Sequence, residues 1–290
     1  MKKFILTIAL LILMLSRLNA QWEILNEGFK GTIYTIDFVN ENTGWLAGYI
    51  GNLLKTTDGG ENWISIEIEE SWNINQIDFI NDSTGWGVGW ANYSNNCIVL
   101  KTEDGGYNWA VKRSIPDSYL NLICVVDENN IYTAGDRIYK TTDGGNKWTD
   151  ISPNIQGENY NSISFRNPEI GVVVGNNNET GYKGMILITT NGGSNWEQKI
   201  VNEFSEITDL QFINDTAGYF IAKSGLNDLL CKTDNMFESW IIQLSNRINS
   251  YHFLDSSVAY AVVRDSLIMK STDGGVSWSG IQTINPSLGG

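Results

Sequence analysis

The stretch Lys55-Thr56-Thr57-Asp58-Gly59-Gly60-Glu61-Asn62-Trp63 occurs, in related form, six times in this chain of 290 residues. The other copies run over Lys101–Trp109, Lys140–Trp148, Ile188–Trp196, Lys232–Trp240 and Lys270–Trp278. Their tryptophans follow one another at intervals of 46, 39, 48, 44 and 38 residues. A repeat of about 40–45 residues with one tryptophan per unit is typical of the blades of a β-propeller.

Each unit divides into four short strands separated by turn residues, the pattern of an up-and-down all-β array. In the first unit the predicted strands are Ile33–Phe38, Gly44–Gly48, Asn52–Thr56 and Trp63–Ile66. The inner strand recurs at Ile74–Phe79, Leu120–Val125, Tyr160–Phe165, Ile207–Phe212 and Ile248–Phe253. We therefore predict an all-β propeller of four-stranded antiparallel blades over residues 21–290, with blades at 31–68, 74–113, 120–152, 160–201, 207–243 and 248–284.

The repeated phrase is interpreted as a structural turn. The aspartate is expected to accept hydrogen bonds from backbone N–H groups two and three residues on, the glycines to take positive φ, and the tryptophan to lie on the fourth strand and fill the gap to the next blade. These roles are assigned to Asp58, Gly59, Gly60, Trp63, Asp104, Gly105, Gly106, Trp109, Asp143, Gly144, Gly145, Trp148, Asn191, Gly192, Gly193, Trp196, Asn235, Trp240, Asp273, Gly274, Gly275 and Trp278. The fifth copy has no glycines, so a distorted or less stable turn is predicted there.

The amino terminus has the order of a secretory signal peptide: Lys2-Lys3, the apolar run Phe4–Leu15, and small residues ending at Ala20. The run is short for a membrane span, which needs about 20 apolar residues. We expect cleavage after Ala20, a secreted, periplasmic or cell-envelope location, and no stable membrane insertion afterwards. The full chain has a net charge of −14, and removal of the leader takes away three positive residues, so the mature chain is more negative still. This charge argues against nucleic acid as a partner.

Three cysteines, Cys97, Cys124 and Cys231, lie in apolar runs of three different repeats. Because the number is odd, at least one has no partner within the chain. Free thiols buried in the blades are the favoured interpretation.

The repeated phrase resembles the Asp-box, or bacterial neuraminidase repeat. With its Thr43-Gly44-Trp45 and Gly51–Thr56 phrases, the blade pattern most resembles the photosystem II assembly and stability factor family and its non-photosynthetic bacterial relatives, over residues 22–284. The resemblance implies a seven-bladed propeller, and photosynthetic members bind membrane-protein assembly intermediates partly through an arginine-rich patch. Here the arginines after the leader are scattered, so that role does not carry over: Arg113, Arg137, Arg166, Arg247 and Arg264.

Closure of the ring raises a separate expectation. Trp22 precedes Trp63 by 41 residues, so residues 22–25 read as a fourth strand without its first three. The sixth unit already has its own fourth strand, from Trp278 to Ile284. We therefore expect a seven-bladed ring of which this chain is a carboxy-terminally truncated form; the alternative is a closed six-bladed ring with an unpaired strand at Trp22.

Catalytic chemistry is not indicated by the sequence. A sialidase needs converging arginines, a tyrosine nucleophile and a glutamate, and the early arginine motif is absent. Asp58, Asp104, Asp143 and Asp273 repeat around a ring, too far apart for the about 5–9.5 Å that paired glycosidase carboxylates require. With His252 as the only histidine, no metal site is predicted, and no cofactor.

The central channel is the remaining candidate site, because inner strands line it. Polar residues recur at the second position of the inner strand, as Tyr34, Asn75, Asn121, Asn161, Thr208 and Asn249. They recur at the fifth position as Asp37, Asp78, Cys124, Ser164, Gln211 and His252. Two interpretations stay open: a site for a polar ligand or peptide, or polar groups hydrogen-bonded to channel water.

Three functional hypotheses follow. The first is an exported, non-catalytic binding or scaffold module for a protein or glycan at the cell envelope. The second is a secreted carbohydrate-active enzyme of sialidase or glycoside-hydrolase type. The third, implied by the family resemblance alone, is a chaperone like the photosystem II assembly factors.

Overall fold

The computed structural model describes residues 32–68, 72–92, 96–116, 119–179, 181–263 and 267–283. Within these ranges the chain is a six-bladed β-propeller of four-stranded antiparallel sheets, and none of the described residues forms a helix. Accordingly, no helix capable of crossing a membrane occurs in the described part of the chain. The predicted all-β propeller with six four-stranded blades is confirmed, whereas the seventh blade stays a prediction, and the leader and the strand expected at 22–25 lie outside the described residues.

The blades follow one another along the chain, and each is a simple meander in which neighbouring strands pair. Blade 1 contains β1 (Ile33–Phe38), β2 (Gly44–Gly48), β3 (Asn52–Thr56) and β4 (Ile64–Glu67). Blade 2 contains β5 (Trp72–Phe79), β6 (Gly85–Ala91), β7 (Asn96–Thr102) and β8 (Ala110–Pro116). Blade 3 contains β9 (Leu120–Val125), β10 (Ile131–Gly135), β11 (Ile138–Thr141) and β12 (Thr149–Asp150).

The second half repeats the plan. Blade 4 contains β13 (Glu158–Phe165), β14 (Gly171–Asn177), β15 (Lys183–Thr189) and β16 (Glu197–Val201). Blade 5 contains β17 (Glu206–Phe212), β18 (Gly218–Ser224), β19 (Asn227–Thr233) and β20 (Ile241–Asn246). Blade 6 contains β21 (Ile248–Phe253), β22 (Ala259–Val263), β23 (Leu267–Ser271) and β24 (Ser279–Thr283).

The first strand of each blade lies beside the first strand of the next, from β1 through β5, β9, β13 and β17 to β21. These are therefore the inner strands that surround the central channel. All six pair with a register shift near their start, as between Ile74 and Gln76 of β5. A bulge of this kind bends and twists the strand locally.

The hydrophobic core lies between blades. One cluster joins Trp45 and Leu53 of blade 1 to Ile77 and Phe79 of blade 2, and equivalent clusters lie at each following junction. We call each junction between consecutive blades a seam. Since each of blades 2 to 5 buries one face against its predecessor and the other against its successor, the seams are the main apolar contacts of the described fold.

The three cysteines lie in three different blades and form no disulfide with one another, as predicted. Cys97 and Cys231 are buried, and Cys124 is half-buried. The Cys97 sulfur accepts a hydrogen bond from the backbone N–H of Leu120 at 3.1 Å, so it contributes to the seam between blades 2 and 3.

Candidate functional site

The Asp-box turns are closed by a hydroxyl and a carboxylate together. In the first turn the Thr56 hydroxyl donates to Asp58 Oδ1 at 2.8 Å and accepts from the Gly60 N–H at 2.9 Å. Asp58 Oδ1 also accepts from the Asn62 N–H at 2.9 Å. Gly59 and Gly60 have φ values of +74° and +93°, which residues with a Cβ rarely adopt.

This arrangement corrects the predicted role of the aspartate. Its carboxylate accepts from the N–H four residues on, as Asp58 does from Asn62, while the N–H two residues on, that of the second glycine, donates to the preceding hydroxyl. The predicted N–H three residues on is among the groups that lower the pKa of Asp104, Asp143 and Asp273. The same hydroxyl contact recurs in the other turns through Thr102, Thr141, Thr189, Thr233 and Ser271. The sequence did contain the signal, because a threonine or serine stands two residues before each turn aspartate or asparagine.

The turn carboxylates are stabilised as anions. The backbone N–H of Asn62 is the largest cause that lowers the pKa of Asp58. In the sixth turn the Ser277 hydroxyl and N–H lower the pKa of Asp273 to about 2. A carboxyl group that is already bonded and ionised in this way serves as a turn clasp and not as a general acid.

The fifth turn is not distorted, which contradicts that part of the prediction. Asn235 holds the aspartate position and accepts from the Ser239 N–H at 3.0 Å, while the Phe237 N–H donates to Thr233 Oγ1 at 3.0 Å. Met236 and Phe237 replace the glycines and take φ values of +53° and +63°. The hydrogen bonds therefore keep the geometry, and the unfavourable side chains occupy the left-handed region.

The turn tryptophans lie one residue before the fourth strand, and not on it. Trp109 packs edge-on against Phe79 of its own blade, with ring centroids 5.9 Å apart, in the cluster shared with Trp45 of the preceding blade. The ring thus faces the preceding blade, whereas the next blade was predicted. Trp148, Trp196, Trp240 and Trp278 occupy equivalent clusters.

The fifth positions of the inner strands hold neighbouring blades together. Asp37 accepts from the Phe79 N–H and Asp78 from the Val125 N–H, both at 2.7 Å. Cys124 accepts from the Phe165 N–H at 3.2 Å. Gln211 makes two bonds to the backbone of Phe253, each of 2.9 Å. These side chains are clamps between inner strands, a use that the sequence interpretation missed.

Burial changes the ionisation of these clamps. It raises the pKa of Asp78 to about 7, although the Val125 N–H opposes the shift. Burial likewise raises the pKa of Asp37. It also raises the pKa of Asp209, which lies on β17, to about 6. Partial desolvation lowers the pKa of His252, the fifth-position residue of the last inner strand. Asp37 and Asp78 are close enough for charge repulsion to add to the shift of Asp78.

A second row of clamps was also missed. The Ile77 N–H donates to Thr35 Oγ1 at 3.3 Å, the Ile123 N–H to Gln76 Oε1 at 2.9 Å, and the Leu210 N–H to Ser162 Oγ at 3.1 Å. The bulge in each inner strand shifts the alternation of side chains, so simple period-two reasoning does not find these positions.

The predicted second-position ring is partly brought together at the channel wall. Asn75, Asn121, Asn161 and Thr208 are half-buried, whereas Tyr34 and Asn249, at the two ends of the blade order, are exposed. The Asn161 amide donates to Ile207 O at 3.2 Å and to Glu206 Oε1 at 2.9 Å. Asn75 makes a longer contact to Leu120 O, of 3.5 Å. These asparagines therefore donate sideways to the next blade.

The described arginines do not converge. Arg113 lies over the Tyr139 ring at 4.3 Å, Arg137 pairs with Asp150 at 2.9 Å, and Arg166 pairs with Asp215 at 3.4 Å. Arg264 lies outside the described residues. Within the described ranges, no group of three or more histidine, cysteine or acidic side chains is placed to hold a metal ion.

The chain matches the family model described as Photosynthesis system II assembly factor YCF48 over residues 15–159, half of its length. No curated protein matches. A solved structure of YCF48 bound to a D1 peptide is 23% identical with a TM-score of 0.65, covering 86% of this chain and 82% of that one. YCF48 from Cyanidioschyzon merolae is 20% identical with a TM-score of 0.68, covering 93% and 89%.

A GH74 xyloglucanase from Xanthomonas campestris is also similar, with 10% identity, a TM-score of 0.60, and coverage of 91% of this chain and 56% of the enzyme. Such low identities show the fold alone, since one propeller architecture serves both binding proteins and hydrolases. The family model is the more specific finding, and the resemblance inferred from the repeated phrase is confirmed. The chain belongs to the photosynthesis system II assembly factor YCF48 family of β-propellers.

Proposed function

We propose that this protein is an exported, non-catalytic propeller that binds a protein at the cell envelope, using the channel mouth lined by Asn75, Asn121 and Asn161. Family membership supports protein binding, and one solved YCF48 carries a peptide of the D1 protein. The amino-terminal leader supports export. Two alternatives remain within this proposal: the partner is a glycan, or the protein acts as an assembly chaperone. The identity of the captured partner distinguishes between them.

The proposal that the protein is not an enzyme rests on the hydrogen bonds made by its turn and inner-strand aspartates. The turn aspartates bind the N–H groups of their own turns, as Asp58 does with Asn62. The inner-strand aspartates Asp37 and Asp78 bind the backbone of the next blade. An acid–base pair needs carboxyl groups that are free to exchange protons with a substrate, and these carboxyl groups are held in place by structural bonds.

Site-specific photocrosslinking tests the binding site. A photoreactive residue at Asn121 in the tagged full chain, expressed in the source cells, is expected to capture one envelope protein. A photoreactive residue at Tyr182, an exposed loop position, is the matched control. The combined Asn75→Ala and Asn161→Ala change is expected to abolish the Asn121 adduct without lowering the unfolding temperature by more than a few degrees.

Three results would overturn the proposal. Adducts of equal yield from Asn121 and Tyr182 would show that the channel is not the binding site. Retention of the tagged chain in the cytoplasm after fractionation would remove export. Turnover of a fluorogenic sialoside or of xyloglucan by the purified chain would favour the carbohydrate-active alternative.

A further inference from the structure

A polar groove lies on the outer rim of the propeller, at the seam between blades 3 and 4. One wall is formed by residues 149–154, and the other by residues 193–196 of the fourth Asp-box turn. Its volume of about 540 Å³ falls within the range of about 300–1,000 Å³ that is typical of small-molecule sites. We call it the rim groove. Three of the described blades precede its seam and three follow it, so it is remote from both ends of the described ring.

The groove opens because β12 ends early. β12 has two residues, whereas the fourth strands of the neighbouring blades, β8 and β16, have seven and five. The Ile151 N–H still donates to Ile138 O at 2.9 Å. The Ile138 N–H, in contrast, donates to the side-chain hydroxyl of Ser152 at 2.8 Å. From Ser152 onward the chain therefore leaves the sheet and forms a wall opposite the fourth turn.

The two walls are joined by a direct bond. The Trp196 indole N–H donates to Ile151 O at 2.7 Å, whereas the equivalent indoles of Trp109 and Trp278 donate to a glycine carbonyl of their own turn. Gly193 lies so close to Ile151 that a Cβ would meet its Cδ1 at 2.4 Å, and the φ of +82° at Gly193 also favours glycine. The groove is therefore formed in advance of any ligand, which lowers the cost of binding.

A departure from the repeated phrase leaves an amide free at this groove. In turns 1 and 2 the amides of Asn62 and Asn108 donate to the second carboxylate oxygen of the turn aspartate, at 2.8 and 2.7 Å. Asn191 replaces the aspartate in turn 4, and its one oxygen already accepts from the Thr189 hydroxyl at 3.0 Å and the Asn195 N–H at 2.9 Å. The Asn195 amide consequently makes no hydrogen bond to any described residue.

The other polar groups of the rim groove suit an uncharged ligand. Within the described ranges, the Asn154 amide and the Ser194 hydroxyl also make no hydrogen bond. Asp150 is paired with Arg137 at 2.9 Å, so the lining carries no unpaired charge. An amide group both donates and accepts, as a sugar hydroxyl does. The indole that joins the walls adds an aromatic surface.

We propose that the rim groove binds a short neutral oligosaccharide. The Asn154 and Asn195 amides bond sugar hydroxyls, and the Trp196 ring packs against the apolar face of a sugar ring. An extended peptide would add itself to a free strand edge, and β12 ends after two residues, so the groove offers little edge for one. The site shares no residue with the channel asparagines and does not depend on the protein-binding function proposed above.

Isothermal titration calorimetry of the full mature chain with defined sugars tests the site. The probes are cellotetraose, maltotetraose, mannotetraose and N-acetylchitotetraose, with tetragalacturonate as the acidic counterpart. We expect saturable binding of at least one neutral tetrasaccharide, and weaker binding of tetragalacturonate. Asn154→Ala and Asn195→Ala together are expected to weaken the binding at least tenfold. Asn227→Ala, at an exposed asparagine of blade 5, is the control and is expected to leave it unchanged.

A sharper test restores the aspartate of the repeated phrase. Asn191→Asp is expected to engage the Asn195 amide, as in turns 1 and 2, and to weaken sugar binding at least threefold through the loss of one hydrogen bond. The unfolding temperature should not fall, because the turn keeps its own bonds. Asn235→Asp makes the same chemical change in the fifth turn, outside the groove, and is expected to leave sugar binding unchanged.

Several results would overturn this site. One is the absence of binding by all the neutral tetrasaccharides, and another is an equal loss from Asn191→Asp and Asn235→Asp. Tighter binding of tetragalacturonate would show that the groove selects anions. Tighter binding of acetyl-tetraglycine-amide than of any sugar would assign the groove to a polypeptide. Because the crosslink at Asn121 reports on the channel, failure of either experiment leaves the other conclusion standing.

Discussion

Asp58 of blade 1 and Asp78 of blade 2 are the same residue type, yet their environments are opposite. Asp58 closes a surface turn, and the Asn62 N–H lowers its pKa. Asp78 lies in an inner strand, bonds the Val125 N–H of the next blade, and has its pKa raised to about 7 by burial. The bonds that close the turns are thus local, whereas the inner-strand carboxylates bond the backbone of the next blade. This contrast predicts where a substitution damages one hairpin and where it loosens the ring.

The largest effect is expected for the aromatic ring at a seam. Trp45 is fully buried, stacks on Phe79 and donates its Nε1–H to Gly105 O at 2.9 Å. Replacement by alanine is expected to lower the free energy of unfolding by about 3–5 kcal/mol, as for other buried aromatic truncations. Urea unfolding followed by tryptophan fluorescence and far-UV circular dichroism measures it.

Trp63→Ala is the matched control, since this turn tryptophan is half-buried and contacts Phe38 of its own blade. The decrease in the free energy of unfolding caused by Trp63→Ala is expected to be less than half of that caused by Trp45→Ala. Equal losses would contradict the view that seams, and not turns, hold the ring together.

The next effect is a pH dependence of stability caused by Asp78. Its carboxyl group has a pKa of about 7 in the folded state, against an ordinary value of 3.8. Between these values the folded state binds more protons than the unfolded state, so stability falls as pH rises from about 4 to about 7. At about 1.4 kcal/mol per unit of pKa shift, the change is on the order of 4 kcal/mol.

Asp78→Asn is expected to flatten that slope, because the amide oxygen can still accept from the Val125 N–H and carries no charge. Thermal unfolding midpoints at pH 4, 5.5, 7 and 8 give the measurement. A slope identical to that of the parent chain would mean that Asp78 does not titrate in this range.

Asp58→Asn is expected to reveal a pH dependence of stability of the opposite sign. The folded-state pKa of Asp58 lies below its ordinary value, so its contribution is present above that value and is lost as pH falls through the folded-state pKa. The substitution is expected to reduce the acid sensitivity below pH 4 and to leave the slope between pH 4 and 7 unchanged. A change in the slope above pH 4 would contradict the assignment of the two carboxylates to independent regions.

The turns could be predicted from the sequence because the hydrogen bonds that close them join residues of one nine-residue phrase, as Asp58 with Asn62. Asp58, Gly59 and Gly60 specify a turn from local sequence alone, whereas the donor two residues on, the blade that the tryptophan faces and the distortion of the fifth turn were predicted wrongly. The clamp formed by Asp78 with Val125 spans 47 residues and depends on which strand lies beside β5. No spacing within one repeat contains that information, and the bulges hide Thr35 and Gln76 from period-two reasoning. Sequence therefore identified the polar channel positions but not their use between blades.

The smallest effect is expected in the fifth turn, where the hydrogen bonds are retained and the backbone conformation is unfavourable. Met236 has a φ of +53° and is half-buried, whereas Phe237 is buried and contributes to the core of blades 4 and 5. Met236 is therefore the position at which glycine can be tested without removing a core ring. Met236→Gly is compared with Met236→Ala, since both remove the side chain beyond Cβ and only glycine relieves the left-handed strain. The glycine variant is expected to be more stable than the alanine variant by about 1 kcal/mol.

Amide exchange of the Phe237 and Ser239 N–H groups, which bond Thr233 and Asn235, should slow in step with that gain. Because the turn is a local unit, exchange at the Phe253 N–H, clamped by Gln211 in the next seam, should not change beyond the gain in global stability. A selective change at Phe253 would show that turn and seam are coupled, and the separation between local hairpins and blade-to-blade clamps would have to be given up.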